Sequence, residues 1–83
     1  MYGLKAKRLN KYYDQAIRRP DADRDEAVEY AIKQTYPGLS DDAQADVFAM
    51  IRPLFDEYGG GLTRRIALTS KLRQYEYNRR RGV

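Results

Sequence analysis

Eighty-three residues, 42% apolar and 34% charged, suffice for one modest core in a single domain (1–83), and no run approaches the roughly 18 apolar residues of a membrane-spanning helix. The chain has neither Cys nor His, which excludes disulfides, zinc and haem-histidine sites, and Ser–His or Cys–His nucleophiles. Chemistry would fall to carboxylates, Lys or Tyr in a chain too short to keep water out, so the expectation is no enzyme, no metal and no cofactor.

With no Cys, and no apolar run behind the early charges, the protein is expected in the cytoplasm and away from membranes. Its net charge of +4 conceals a segregation. Residues 1–20 hold six basic side chains and one acidic, residues 21–58 three and ten, and residues 59–83 seven and one. Two basic ends therefore flank an acidic middle. Either the ends pack beside the middle so that the fields partly cancel, or they gather into a surface for a polyanion.

In chain order, residues 4 to 19 read as a first helix. Leu9, Tyr13, Ala16 and Ile17 recur at helical spacing, Lys5, Lys7, Arg8 and Lys11 take the other faces, and Pro20 stops the helix. Asp23, with Glu26 three residues on, opens a second helix as a capping box. Its expected buried face is Ala27, Val28, Ala31, Ile32 and Tyr36, with Thr35 on the margin, and Pro37-Gly38 turns the chain. Asp21-x-Asp23-x-Asp25 has the opening spacing of a calcium loop. Glu26 stands where that loop needs glycine and Ile32 where it needs a bidentate Glu, so these carboxylates read as helix-start charges.

The third helix spans Ser40 to Tyr58, with Asp41 and Gln44 as its capping box. Val47, Phe48, Ile51, Leu54 and Phe55 form a wide apolar stripe holding both Phe residues of the chain, so this helix is expected to be central to the core. Pro53 within it predicts a kink; a break near Met50–Arg52, with a short second piece over 53–58, is the alternative. A fourth helix is predicted over 63–80, with Thr63 as N-cap and Leu68, Leu72 and Tyr75 on one face, Ile66 lying off its edge. Residues 72–78 also alternate as a strand would, but such a strand has no visible partner. The expected fold is all-α, a compact bundle of about four helices, with a basic tail from about residue 79.

Gly59-Gly60-Gly61 leading into Arg64 and Arg65 reads as a helix stop and hinge, and also as backbone donors beside two cations where a phosphate could sit. No Gly-Lys-Ser/Thr follows, so nucleotide hydrolysis is unsupported. The third helix, the glycine turn and the fourth helix have the outline of a helix-turn-helix, with Thr63, Arg64, Arg65, Thr69 and Arg73 outward and Ile66, Leu68 and Leu72 inward. The leading expectation is a small regulator that binds DNA or RNA. Its phosphate contacts would be Arg64, Arg65, Lys71, Arg73, Arg79, Arg80 and Arg81, joined by Lys5, Lys7, Arg8 and Lys11 if both ends share a face. That many contacts predict an affinity loss on the order of a thousandfold or more from about 50 to 200 mM salt. The competing expectation is an inhibitor or adaptor that docks Asp41, Asp42, Asp46, Asp56 and Glu57 on a protein that handles nucleic acid. A homodimer through the Phe48–Phe55 stripe is compatible with either.

Overall fold

The computed structural model describes residues 2–80, and the side chains of residues 3–79. It contains α1 (Tyr2–Ile17), α2 (Arg24–Thr35), α3 (Asp41–Glu57) and α4 (Gly61–Arg80), with no strand among the described residues. Residues 72–78 are thus helical, as their Leu72–Tyr75 spacing predicts. The radius of gyration is 12.1 Å, close to the roughly 12 Å of a packed chain this long. No helix of the described residues is long and apolar enough to cross a membrane.

The helices start and stop for local reasons. Asp23 holds the N-cap position of α2 in extended backbone, and Asp25 and Glu26 place negative charge in the first turn, where the helix dipole favours it. Ser40, rather than Asp41, caps α3: its hydroxyl accepts from the Ala43 amide at 3.2 Å, while Gln44 donates to the Leu39 carbonyl at 3.2 Å. The cap lies one residue earlier than the capping-box spacing implies, because Asp41 is already helical and Ser40 is the last residue in extended backbone. α3 continues through Pro53 as one helix, so the two-piece alternative falls. α4 begins at Gly61, which puts Thr63 inside the helix instead of at its cap. Gly60 (φ +127°) and Gly61 (φ +65°) adopt backbone that side chains disfavour, which gives two of the three glycines a conformational task.

Each helix packs beside the next in sequence, and α1 also lies beside α4, which closes a ring of four. Cross-contacts give the directions. Tyr12 meets Tyr30, and Lys5 meets Tyr36, so α1 and α2 are antiparallel. Asp25 pairs with Arg52 and Arg24 with Asp56, so α2 and α3 are too. Asn10 and Asp14 meet the start of α4 while Gly3 lies beside Ile66 and Arg73, which makes α1 antiparallel to α4. This is an up-down-up-down bundle, the topology that short loops between antiparallel neighbours favour.

The core is shared among the helices. α1 buries Ala6, Leu9, Tyr13 and Ala16; α2 buries Ala27, Val28, Ala31, Ile32 and Thr35; α3 buries Val47, Ile51, Leu54 and Phe55; α4 buries Leu68 and Leu72. Tyr13 and Phe55 meet across the bundle with ring centroids 4.2 Å apart. Phe55 is spent on this internal contact and only Phe48 is half-exposed, so the Phe48–Phe55 stripe is not an open dimer face.

Candidate functional site

The seams between helices carry the molecule's polar chemistry, and two of them lie on opposite sides of the ring. The α1/α4 seam is closed at one end by Arg64. Sequence periodicity turns this residue outward, toward phosphate; in the structure it is 2% exposed. Its Nη2 donates to Asp14 Oδ1 at 2.6 Å and its Nε to Asn10 Oδ1, and Asn10 Nδ2 in turn donates to the Gly61 carbonyl at 3.2 Å. The guanidinium lies 4.8 Å from the Tyr13 ring centroid and 4.9 Å from that of Phe55. A side chain at Gly60 would come within 3.7 Å of it. Arg64 is thus a clip joining α1, α3 and the glycine turn, its charge matched by Asp14 and its faces by aromatic rings. It is withdrawn from any external phosphate.

Beyond this clip the α1/α4 seam opens into a groove of about 330 Å³. Gly3 supplies one wall, where a Cβ would meet open space, and Leu62, Arg65, Ile66, Thr69 and Arg73 supply the other. Lys7, four residues on from Gly3, continues the same line of α1, and Lys11 follows at the next turn; both are exposed. No carboxylate among the described residues pairs with Lys7, Lys11, Arg65 or Arg73. Ile66 is 60% exposed and Leu62 63%, so Ile66 does not hold α4 to the core as the helix-turn-helix outline requires; Leu68 and Leu72 do.

The other predicted phosphate contacts disperse. Lys5 lies 4.6 Å over the Tyr36 ring, whose hydroxyl is pushed up to about 12, chiefly by burial and then by the charge of Glu76. Arg8 is exposed about 100° round α1 from Lys7, toward α2. Lys71 is exposed on the line of Ala67 and Tyr75, toward α3. Arg79 lies 5.7 Å from the Tyr75 ring and shares the α3/α4 crevice with Asp42 and Asp46. The side chain of Arg80, and Arg81 altogether, lie outside the described residues.

On the opposite side, the α2/α3 seam is also half closed and half open. Arg52 bridges Asp25 and Asp56, and Arg24 reaches Asp56 as well. Hydrogen bonds from Arg52 and then Arg24 hold the Asp56 carboxyl below its ordinary value, and donating to Asp25 and then Asp56 raises Arg52 further. Further along, the seam opens as a groove of about 320 Å³ with Ile32 and Phe48 at its floor and Glu29, Lys33 and Asp41 on its rim. Of the five carboxylates assigned to a docking face, Asp41 borders this groove, Asp42 and Asp46 face Arg79, Asp56 is tied to two arginines, and Glu57 is exposed at the end of α3.

Sequence reasoning missed Gly3, Leu62 and Ile66 as wall-forming residues, and Phe48 as a groove floor. The signal for Ile66 was present: an aliphatic residue off the buried face of an otherwise polar helix. The fold is thus a four-helix bundle with two opposed open seams, one basic and one acidic. Comparison with known proteins finds no family model, no curated protein and no solved structure that the chain matches.

Proposed function

We propose that this is a small nucleic-acid-binding protein that tracks a phosphate backbone along the α1/α4 seam. One observation carries the reading: the two basic segments of the chain pack side by side, Arg65 and Arg73 line an open groove, Lys7 and Lys11 are exposed on the line of α1 that starts at Gly3, and none of the four has a carboxylate partner among the described residues. Many of the acidic residues lie on the far side, where Asp25 and Asp56 are held by Arg24 and Arg52. A polyanion approaching the α1/α4 face meets little repulsion. Ser70 adds a hydroxyl for phosphate oxygens, while that of Thr69 is donated to the Arg65 carbonyl at 2.8 Å; contacts to phosphate carry no sequence information, so binding is expected to be indifferent to sequence.

Four cations, instead of the eleven assigned from sequence, lower the expected salt dependence. Neutralising about four phosphates gives an affinity loss near a hundredfold between about 50 and 200 mM salt. Fluorescence anisotropy with a labelled duplex and a labelled single strand tests this. Arg65→Ala with Arg73→Ala is expected to flatten the slope of log K against log salt by about two units. Lys71→Ala is expected to leave it unchanged. No binding at low salt would end the proposal.

A second reading, docking of a protein on the acidic side, is favoured by the α2/α3 groove, which half-buried Phe48 lines together with Glu29 and Asp41.

A further inference from the structure

The two open seams are complementary to each other. The α4 ridge beside the α1/α4 groove presents Leu62 and Ile66, both more than half exposed, next to Arg65 and Arg73. The α2/α3 groove presents Ile32 and Phe48 beneath Glu29 and Asp41, with Lys33 the one cation on its rim. Residues 21–58 carry ten carboxylates, and their two arginines are already committed to Asp25 and Asp56. What remains at the groove itself is Glu29 and Asp41 against Lys33, a net negative rim. Aliphatic side chains flanked by cations face one way, and an aromatic-floored trough flanked by anions faces the other.

Position matters as much as chemistry. In a ring where each helix touches its two neighbours, the α4/α1 seam and the α2/α3 seam lie on opposite sides. A chain cannot close its own ridge into its own groove, but it can offer both to other copies at once.

We infer that the basic aliphatic ridge of α4 in one copy docks into the acidic α2/α3 groove of the next, which produces open head-to-tail chains. The contact is heterologous: ridge meets groove, and each added copy leaves one of each exposed, so growth does not stop at a dimer. Aliphatic burial on Phe48 supplies the attraction, and the opposed charges set register and orientation. An interface of two or three helical turns a side is small, so association is weak and concentration-dependent. Because the ridge is also the proposed phosphate-tracking face, nucleic acid and the next copy compete for it. The inference rests on the second reading above, that the α2/α3 groove is a docking surface.

Sedimentation velocity on the intact chain from about 10 µM to about 1 mM, a span suited to weak association, is the first test. The expected result is an average mass that climbs steadily with concentration at low salt and falls back by 0.5 M salt. A mass that stays monomeric, or that saturates at a dimer, overturns the inference and leaves the groove free to dock a different protein. The second test mixes two variants whose folding is checked by circular dichroism. One has the ridge spoiled by Leu62→Asp and Ile66→Asp, and the other has the groove spoiled by Glu29→Lys and Ala45→Lys, all at exposed positions. Each variant by itself is expected to be monomeric, while an equimolar mixture forms a heterodimer and nothing larger, since it holds one good ridge and one good groove. Absence of the heterodimer refutes the inference. Self-association that survives in the groove variant also overturns the inference, since copies then meet through another surface, and leaves the groove's docking of a different protein as a separate question.

Discussion

Replacing Arg64 by alanine is the perturbation that most sharply separates a clip within the fold from a ligand contact. The substitution removes a guanidinium that is 2% exposed, bonded to Asp14 and Asn10 and placed between two rings 4.8 and 4.9 Å away. Stripping one partner from a buried ion pair costs roughly 3–5 kcal/mol where the other partner cannot be rehydrated. Asp14 is 41% exposed and regains water, which discounts that figure. The cavity between Tyr13 and Phe55 and the lost ring contacts restore part of it, at roughly 0.5–2 kcal/mol. The expected loss is about 2–4 kcal/mol. A chain of this length has a total stability of about 4–12 kcal/mol, so the variant loses at least about a sixth of it, and its melting temperature falls by roughly 8–32 °C. Urea titration followed by circular dichroism measures the change. A double-mutant cycle with Asp14→Ala is expected to return a coupling of about 1–2 kcal/mol. The reasoning fails if Arg64→Ala lies within about 0.5 kcal/mol of the parent, or if at matched folded fraction it weakens nucleic-acid binding as much as Arg65→Ala does.

Three further perturbations probe the rest of the structure. The folded-state pKa of Asp56 is lowered from its ordinary 3.8 by Arg52 and Arg24, so its stabilising effect is complete above that value and disappears as pH falls through the lower folded value. Urea midpoints of the parent and Asp56→Asn are therefore expected to differ at pH 6 and to draw together as pH falls below the ordinary carboxylate value. At the turn, Gly60→Ala forces a Cβ into backbone at φ +127° and is expected to cost about 1–3 kcal/mol, whereas Gly59→Ala, in open space without a positive φ, stays within about 0.5 kcal/mol. Thermal melts of the pair decide between a conformational requirement and a generic hinge. In the core, the Thr35 hydroxyl is buried without a hydrogen-bond partner among the described residues, so Thr35→Val is expected to raise stability by about 1 kcal/mol; a lower urea midpoint would contradict this.

Much of the architecture was legible before any coordinates because helices are built from contacts three and four residues apart. The spacing of Leu9, Tyr13 and Ala16, the carboxylates at the start of α2, the Pro37-Gly38 turn and the triple glycine mark four helices and their boundaries to within about two residues. Charge segregation was equally plain, since it needs nothing beyond counting along the chain. The short connections implied antiparallel neighbours, and these in turn bring the two basic helices side by side.

Which cation faces water was a different kind of question. Arg64 and Arg65 are adjacent in sequence and similar in local setting, yet one is a buried clip and the other borders a groove. The difference is set by Asn10 and Asp14, about fifty residues away, and by the Tyr13 and Phe55 rings on which the Arg64 guanidinium rests. Likewise Phe48 borders the open α2/α3 trough while Phe55 on the same helix is buried, because Phe55 packs across the bundle on Tyr13 and beneath Arg64. Short-range spacing can say that a helix has a polar side. Only packing among four helices decides which of its charges are matched within the fold and which are left to meet something else, because that depends on the angle at which each helix is turned toward its neighbours.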